Sequence, residues 1–262
     1  VILEASGVTF QYDSTPVLSG VNMRLEPGIT AIIGPNAAGK STLLKCLSGL
    51  LKPEGQIELE GQPIHDLETR ELAQSISYLP QDFATGAVLT VFEAVLLGRV
   101  HQLGWRVTDA DMVVVENLLN ELRITDLAGR DINELSDGQQ QLVVIAQALA
   151  REPKVLLLDE PTSNLDLHHQ FEVCGLIRKL TRSRGICTAM ALHDLNLASR
   201  YADQIYVVRG GAIYSAGEPA HVLTPELIAD VYRVQAEVKP GTGDRPVVTV
   251  LGPVETEPGE NG

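Results

Sequence analysis

The sequence predicts an α/β fold: a mostly parallel sheet flanked by helices, with an antiparallel β flank and an inserted helical lobe. Three observations carry this expectation. Apolar residues recur with a period of two in some segments and of about 3.6 in others, and the two patterns alternate along the chain. The earliest β-like runs lie close together across turns such as Glu26-Pro27-Gly28. Between about Asp82 and Asn133 the strand pattern stops and helical patterns take over. Strand-then-helix alternation suits parallel strands buried on both faces, whereas short connections suit antiparallel pairing.

In chain order, β-like runs are expected at 2–10, 21–25, 30–33, 56–59, 76–79, 155–158, 186–191 and 205–209. Helical patterns are expected at 39–50, 67–74, 91–97, 110–122, 138–150, 167–180 and 195–201. The division that follows is a sheet domain at 1–81 and 134–238, a helical lobe at 82–133, and an extension at 239–262. Pro, Gly and Glu accumulate in that extension, and its end, 255–262, reads as a solvated tail.

Of the 262 residues, 44% are hydrophobic and 21% charged, enough apolar material for a full core and too much for a disordered chain. The net charge of −14 argues against a general nucleic-acid binder while leaving room for one local basic pocket. The most apolar stretch, 84–100, carries Glu93 and ends beside Arg99, so nothing is expected to span a bilayer alone. The start of the chain as given shows no basic region followed by an apolar stretch, hence no secretory signal. Cys46, Cys174 and Cys187 have no close spacing and read as buried or free thiols, in keeping with a cytosolic globular protein.

The strongest chemical signal is Gly34-Pro35-Asn36-Ala37-Ala38-Gly39-Lys40-Ser41, which fits G-x-x-x-x-G-K-[ST] between a strand pattern and a helical one. Phosphate oxygens need several donors with no bulky side chain in the way. Glycines permit the tight backbone, consecutive N–H groups form an anion nest, and the next helix points its positive end at the ligand. Lys40 is expected on the β- and γ-phosphates and Ser41 on Mg²⁺, with Gly34, Pro35, Asn36, Ala37, Ala38, Gly39 and Thr42 completing the candidate phosphate-binding set. The sheet domain is therefore read as a P-loop NTPase core. Downstream, Val155-Leu156-Leu157-Leu158-Asp159-Glu160 is a buried-strand run ending in two acids. Acids at a strand's carboxyl end suit a nucleotide bound at that edge of a parallel sheet. Asp159 is the candidate Mg²⁺ ligand and Glu160 the candidate group that orients or deprotonates the attacking water.

Leu135-Ser136-Asp137-Gly138-Gln139, ahead of a helix and shortly before the acidic strand, resembles the LSGGQ signature of ABC-transporter ATPases. Other elements match that family in order. Tyr12 lies where the family has an adenine-stacking aromatic, and Gln81 in Leu79-Pro80-Gln81 resembles the Q-loop. Ser163-Asn164-Leu165-Asp166 resembles the D-loop, and His193 the switch histidine. The likeness runs from about Val8 to Val234. Leu97-Gly98-Arg99, Leu103-Gly104-Trp105 and Val222-Leu223-Thr224-Pro225-Glu226 resemble the subfamily that energises uptake of ferric siderophores, haem and cobalamin.

The resemblance implies an ATP-binding, Mg²⁺-dependent ATPase acting as a head-to-tail homodimer. Glu160, His193 and Gln81 are its implied catalytic residues, and Ser41, Gln81 and Asp159 its implied metal set. Ser136 and Gly138 of one copy would close over the γ-phosphate held by the other, with Gln139 and Asp166 counted in the nucleotide-binding set. It also implies integral membrane permease subunits docked on the lobe beside Gln81, a substrate-binding protein beyond them, and a place on the cytoplasmic face of the membrane. Alternative readings are an importer ATPase for another substrate, such as molybdate, and a soluble ABC-type ATPase of iron–sulfur assembly or one linked to nucleic acid.

Several residues depart from the family pattern. Ala37 and Asp137 stand where glycine is usual, and Gln140 and Gln147 where arginine is frequent. If position 37 needs φ > 0, alanine costs about 1 kcal/mol there. Asp137 is expected to point to solvent or to cap the helix behind it. His168 and His169 project about 100° apart on a helix and are not expected to share a metal. Trp105 is expected in lobe packing or in contact with the membrane subunit.

Overall fold

Two sheets and a terminal hairpin organise the described residues, 1–81, 88–99 and 107–254, of the computed structural model. β1 (Leu3–Tyr12) and β2 (Thr15–Leu25) pair antiparallel, as the short turn between them requires. β3 (Gly28–Ile33) leads into α1 (Lys40–Leu47). The chain then returns as β4 (Glu54–Leu59) and β5 (Gln62–Pro63), which complete an antiparallel sheet of order β2-β1-β4-β5.

The second sheet is assembled from distant segments. α2 (Thr69–Ser75) feeds β6 (Ile76–Leu79). The helices α3 (Val91–Leu97), α4 (Asp109–Glu121) and α5 (Asp137–Ala150) follow before β7 (Val155–Asp159). Next come α6 (Leu167–Arg184), β8 (Cys187–Ala191), α7 (Leu195–Tyr201), β9 (Gln204–Arg209) and β10 (Ala212–Gly217). The strand order is β10-β9-β3-β8-β7-β6, parallel throughout except for the β9–β10 pair.

Because strand side chains alternate between faces, the sheet divides the core in two. Ile29, Ala31, Ile33, Leu156, Leu158 and Met190 face the core that α3, α4 and α5 complete. Ile32, Val155, Leu157, Ala189 and Ala191 face the core shared with α1 and the antiparallel sheet. Every residue of β7 and β8 is buried, which explains why Thr188 and the terminal Asp159 are the only polar residues in these two strands. The three cysteines are buried and free, and burial pushes the Cys46 and Cys174 thiols up to about 12 and Cys187 to about 11.

In the lobe, α3 and α4 each begin with a capping box, on Thr90 with Glu93 and on Thr108 with Asp111. Arg99 is buried; its Nε donates to Asp111 Oδ1 at 2.7 Å and its Nη1 to the Ala150 carbonyl at 3.0 Å, tying α3, α4 and α5 together. Gly98 lets α3 approach α5: a Cβ there would sit 2.2 Å from the Gln147 carbonyl oxygen. Leu97-Gly98-Arg99 is thus a packing device of the lobe, while Leu103-Gly104-Trp105 and residues 82–87 lie outside the described residues.

Beyond β10 the structure adds elements that the sequence patterns do not predict. α8 (Pro219–Val222) precedes α9 (Pro225–Tyr232), whose N-cap is Thr224, as its place before a proline suggests. β11 (Val234–Pro240) and β12 (Pro246–Pro253) form a hairpin seated on α7, where Asn196 exchanges two hydrogen bonds with the Val248 backbone at 3.0 and 2.8 Å. The stretch from Lys239 to Pro253 is therefore strand and turn, and the tail expected at 255–262 lies outside the described residues. Among the described residues no helix is long and apolar enough to cross a membrane.

Candidate functional site

The glycine-rich loop follows β3 at the sheet's carboxyl edge and ends at the N-terminus of α1. Gly34 has φ 149°, and a Cβ there would meet the Val208 carbonyl oxygen at 2.1 Å. Gly39 has φ 104° and lies against Leu18 and Val17. Ala37 sits at φ 59°, so the position does need the left-handed conformation that alanine adopts at a cost. The backbone carbonyls of Gly34 and Pro35 accept from Lys40 Nζ at 2.8 and 3.0 Å, which lays the side chain along the loop. Burial lowers the Lys40 pKa, against the opposing pull of Glu160 and Asp159.

Parallel pairing brings the acidic strand end to the same edge, one strand removed from the loop. Asp159 is buried; Ser41 Oγ donates to its Oδ1 at 3.0 Å and Tyr78 OH to its Oδ2 at 3.1 Å. Burial raises the Asp159 pKa, and these two hydroxyls oppose that rise. Tyr78 is absent from the residues picked out by the motifs, because nothing in the sequence links position 78 to 159 until β6 pairs with β7. Glu160, at φ 52°, turns its carboxylate onto His193 Nε2. His193 is presented between β8 and α7, whose N-cap Asp194 accepts from Asn196 and Leu197 N–H at 2.7 and 2.9 Å.

These elements enclose one cleft of about 490 Å³, lined by Tyr12, Val17, Asn36, Ala37, Ala38, Gly39, Lys40, Ser41, Thr42, Gln81, Glu160 and His193. Tyr12 is 44% exposed and packs edge-on against Phe10, leaving much of its ring open to the cleft side. Ser41, Asp159 and Gln81 are oxygen donors of the kind that suit Mg²⁺, and the first two are already adjacent.

Ser136, Gly138, Gln139 and Asp166 are not among the residues that line this cleft. Ser136 is exposed and is the N-cap of α5, in a capping box with Gln139. Asp137 is exposed in the first turn of α5, so the cap belongs to Ser136 and the aspartate points to solvent. Gln140 Nε2 donates to the Leu135 carbonyl at 3.1 Å, while nothing in the structure explains glutamine at 147. Asp166 caps α6 and binds His169 twice, at its N–H (2.9 Å) and its Nδ1 (2.8 Å).

A phosphate loop at the carboxyl edge of a parallel sheet, an antiparallel flank and a helical lobe define an ATPase cassette of the P-loop class. The ABC transporter family model matches residues 18–163, and the chain belongs to that family as the ATP-binding subunit of a transporter. It is 43% identical to an uncharacterized ABC transporter ATP-binding protein of Methanocaldococcus jannaschii, over 96% of this chain and 99% of that protein. It is 39% identical to the petrobactin import ATP-binding protein FpuD of Bacillus anthracis, over 90% of this chain and 88% of that protein. A dimeric ATP-binding cassette in a post-hydrolysis state, bound to ADP and Pi, superposes with TM-score 0.72 at 28% identity, covering 82% of this chain and 98% of that one.

Proposed function

We propose that this chain hydrolyses ATP to power an importer of an iron chelate, haem or cobalamin. The observation that carries the reading is the convergence of Lys40, Glu160, His193, Gln81 and Tyr12 on one cleft. In this reading the loop N–H groups and Lys40 bind the phosphates and Tyr12 stacks on the base. Glu160 orients or deprotonates the attacking water, while His193 holds the Glu160 carboxylate and reaches toward the γ-phosphate. Ser41, Asp159 and Gln81 would hold Mg²⁺, which neutralises charge on the phosphate oxygens when bound.

The exposed cap of α5 belongs, in this proposal, to a second copy's site. Ser136, Gly138 and Gln139 close over the triphosphate bound by the partner, and Asp166 sets the neighbouring loop. ATP then favours the closed pair because it binds that state better than the open one. The lobe beside Gln81 docks on a membrane permease at the cytoplasmic face, and a substrate-binding protein delivers the cargo. The similarity to a petrobactin import ATP-binding protein supports the cargo class.

The test is coexpression with the neighbouring permease. Glu160→Gln should trap ATP in a stable dimer and abolish uptake, and wild-type chain should copurify with a polytopic membrane protein. A chain that hydrolyses ATP at full rate after Glu160→Gln, or that never associates with a permease, would overturn the reading.

A further inference from the structure

A second cavity, of about 440 Å³, opens between α6, α7 and the β11–β12 turn. Arg178, Arg200 and Arg245 line it and, among the described residues, no Asp or Glu does, although the chain as a whole carries a charge of −14. The three guanidinium groups come from three separate elements: α6, α7 and the residue before β12. Arg245 is fixed in place by the carbonyls at the end of α7, with Nη1 donating to Ser199 at 3.2 Å and also to Ala202. Its Nη2 lies 3.8 Å from Asp203 Oδ1, an oxygen that also pairs with Arg182 at 3.3 Å. Arg200 lies over the rings of Phe171 and Tyr201, 5.2 and 6.0 Å from their centroids, which fixes its plane. Arg178 donates to the Arg200 carbonyl at 3.4 Å. Among the described residues, neither Arg178 nor Arg200 forms an ion pair.

Gathering like charges costs free energy unless an opposite charge is brought among them, and guanidinium forks match carboxylate and phosphate oxygens in pairs. The rest of the wall mixes apolar surface from Phe171, Pro246 and Val247 with polar Asn196, Ser199 and Thr242, so the cavity suits a small anion with several oxygen groups. Its size is close to that of the nucleotide cleft. Of the two helices it joins, α7 starts two residues after His193 of the nucleotide cleft, and α6 starts at the residue after Asp166, which lies outside that cleft.

We propose that this cavity is a regulatory site for a small organic anion bearing two or more carboxylate or phosphate groups. By spanning α6 and α7, the anion fixes the relative position of the helices that start just after Asp166 and His193, and so changes the rate of ATP hydrolysis. The regulatory half of the proposal rests on the ATPase reading above; the binding half does not.

The experiment is calorimetric titration of the full chain with citrate at constant ionic strength, the phosphate loop being saturated with a nonhydrolysable ATP analogue. One saturable citrate per chain is expected, with at least tenfold weaker binding in R178Q/R200Q and unchanged binding in Lys52→Gln, which removes a positive charge elsewhere. A thermal melt checks that the double variant folds, and R178K/R200K, which keeps the charge but loses the fork, should also bind several-fold more weakly. Pyrophosphate in place of citrate distinguishes phosphate from carboxylate preference, and saturable binding of either supports the site. Absence of saturable binding at millimolar probe, or equal binding by R178Q/R200Q, would overturn it. Saturable binding that leaves the wild-type hydrolysis rate unmoved would remove the regulatory role. Absence of hydrolysis altogether would strike the ATPase reading and leave the titration standing.

Discussion

The imidazole of His169 fills the space that a side chain at position 138 would need. A Cβ built on Gly138 would lie 2.5 Å from His169 Cδ2 and 2.8 Å from its Cγ. His169 is also held by Asp166, so the first turns of α5 and α6 meet through one ring. Gly138 therefore serves the packing of its own chain as well as the surface it presents.

From this contact, Gly138→Ala is expected to destabilise the protein by about 1–3 kcal/mol, the usual range for overpacking a filled site. Adding His169→Ala should restore at least half of that loss, because it empties the space into which the methyl group intrudes. Urea unfolding of the two single variants and the double variant measures the coupling. Additive losses would show that the ring and position 138 do not compete.

Ala37→Gly is expected to stabilise the chain by up to about 1 kcal/mol, since φ 59° strains alanine and not glycine. For a chain of this size, that shifts Tm upward by roughly 2–4 °C. A thermal melt decides it. An unchanged or lower Tm would mean that the added freedom of the unfolded glycine cancels the relief of strain.

The Arg99–Asp111 pair should make stability depend on pH in the acid range. Hydrogen bonds from Thr108 and Arg99 hold the Asp111 carboxyl at about 2, below its ordinary value. A depressed carboxyl pKa contributes stability that is fully present above the unfolded value, near 4, and is lost as pH falls toward the folded value. The contribution at neutral pH is about 2 kcal/mol. Asp111→Asn should therefore be less stable than wild type at pH 6, with the difference narrowing between about pH 4 and pH 2. Denaturant melts at stepped pH provide the comparison.

Asn196→Ala is expected to loosen the β11–β12 hairpin while leaving the six-stranded sheet intact. It removes both side-chain partners of the Val248 backbone, at roughly 1 kcal/mol for each lost hydrogen bond. Amide exchange should accelerate across β11 and β12 and stay unchanged in β7 and β8. Uniform acceleration through the whole chain would tie the hairpin to global folding instead.

Much of this architecture is legible in the sequence, where periodicity and local chemistry agree. The extents of β6, α3 and α7 coincide with the runs that the apolar pattern marks. The phosphate loop and the acidic strand are readable because their chemistry is contiguous in the chain. β10 is not, since its residues alternate between half-buried and exposed and present no clear apolar face. Prolines at 240 and 246 disguise the terminal hairpin as a linker. Tyr78 and His169 escape for a different reason: the partner of one is 81 residues away, and that of the other is a glycine, whose missing side chain leaves no trace in a pattern of side chains.

Gln81 follows β6, one of the two edge strands of its sheet, which is bonded to a neighbour on one side only. The loops bearing Lys40, Glu160 and His193 issue from strands clamped on both sides. A shift at Gln81 disturbs a single ladder, whereas an equal shift at the others disturbs two. Of these four cleft residues, Gln81 stands where the sheet is held by the fewest ladders.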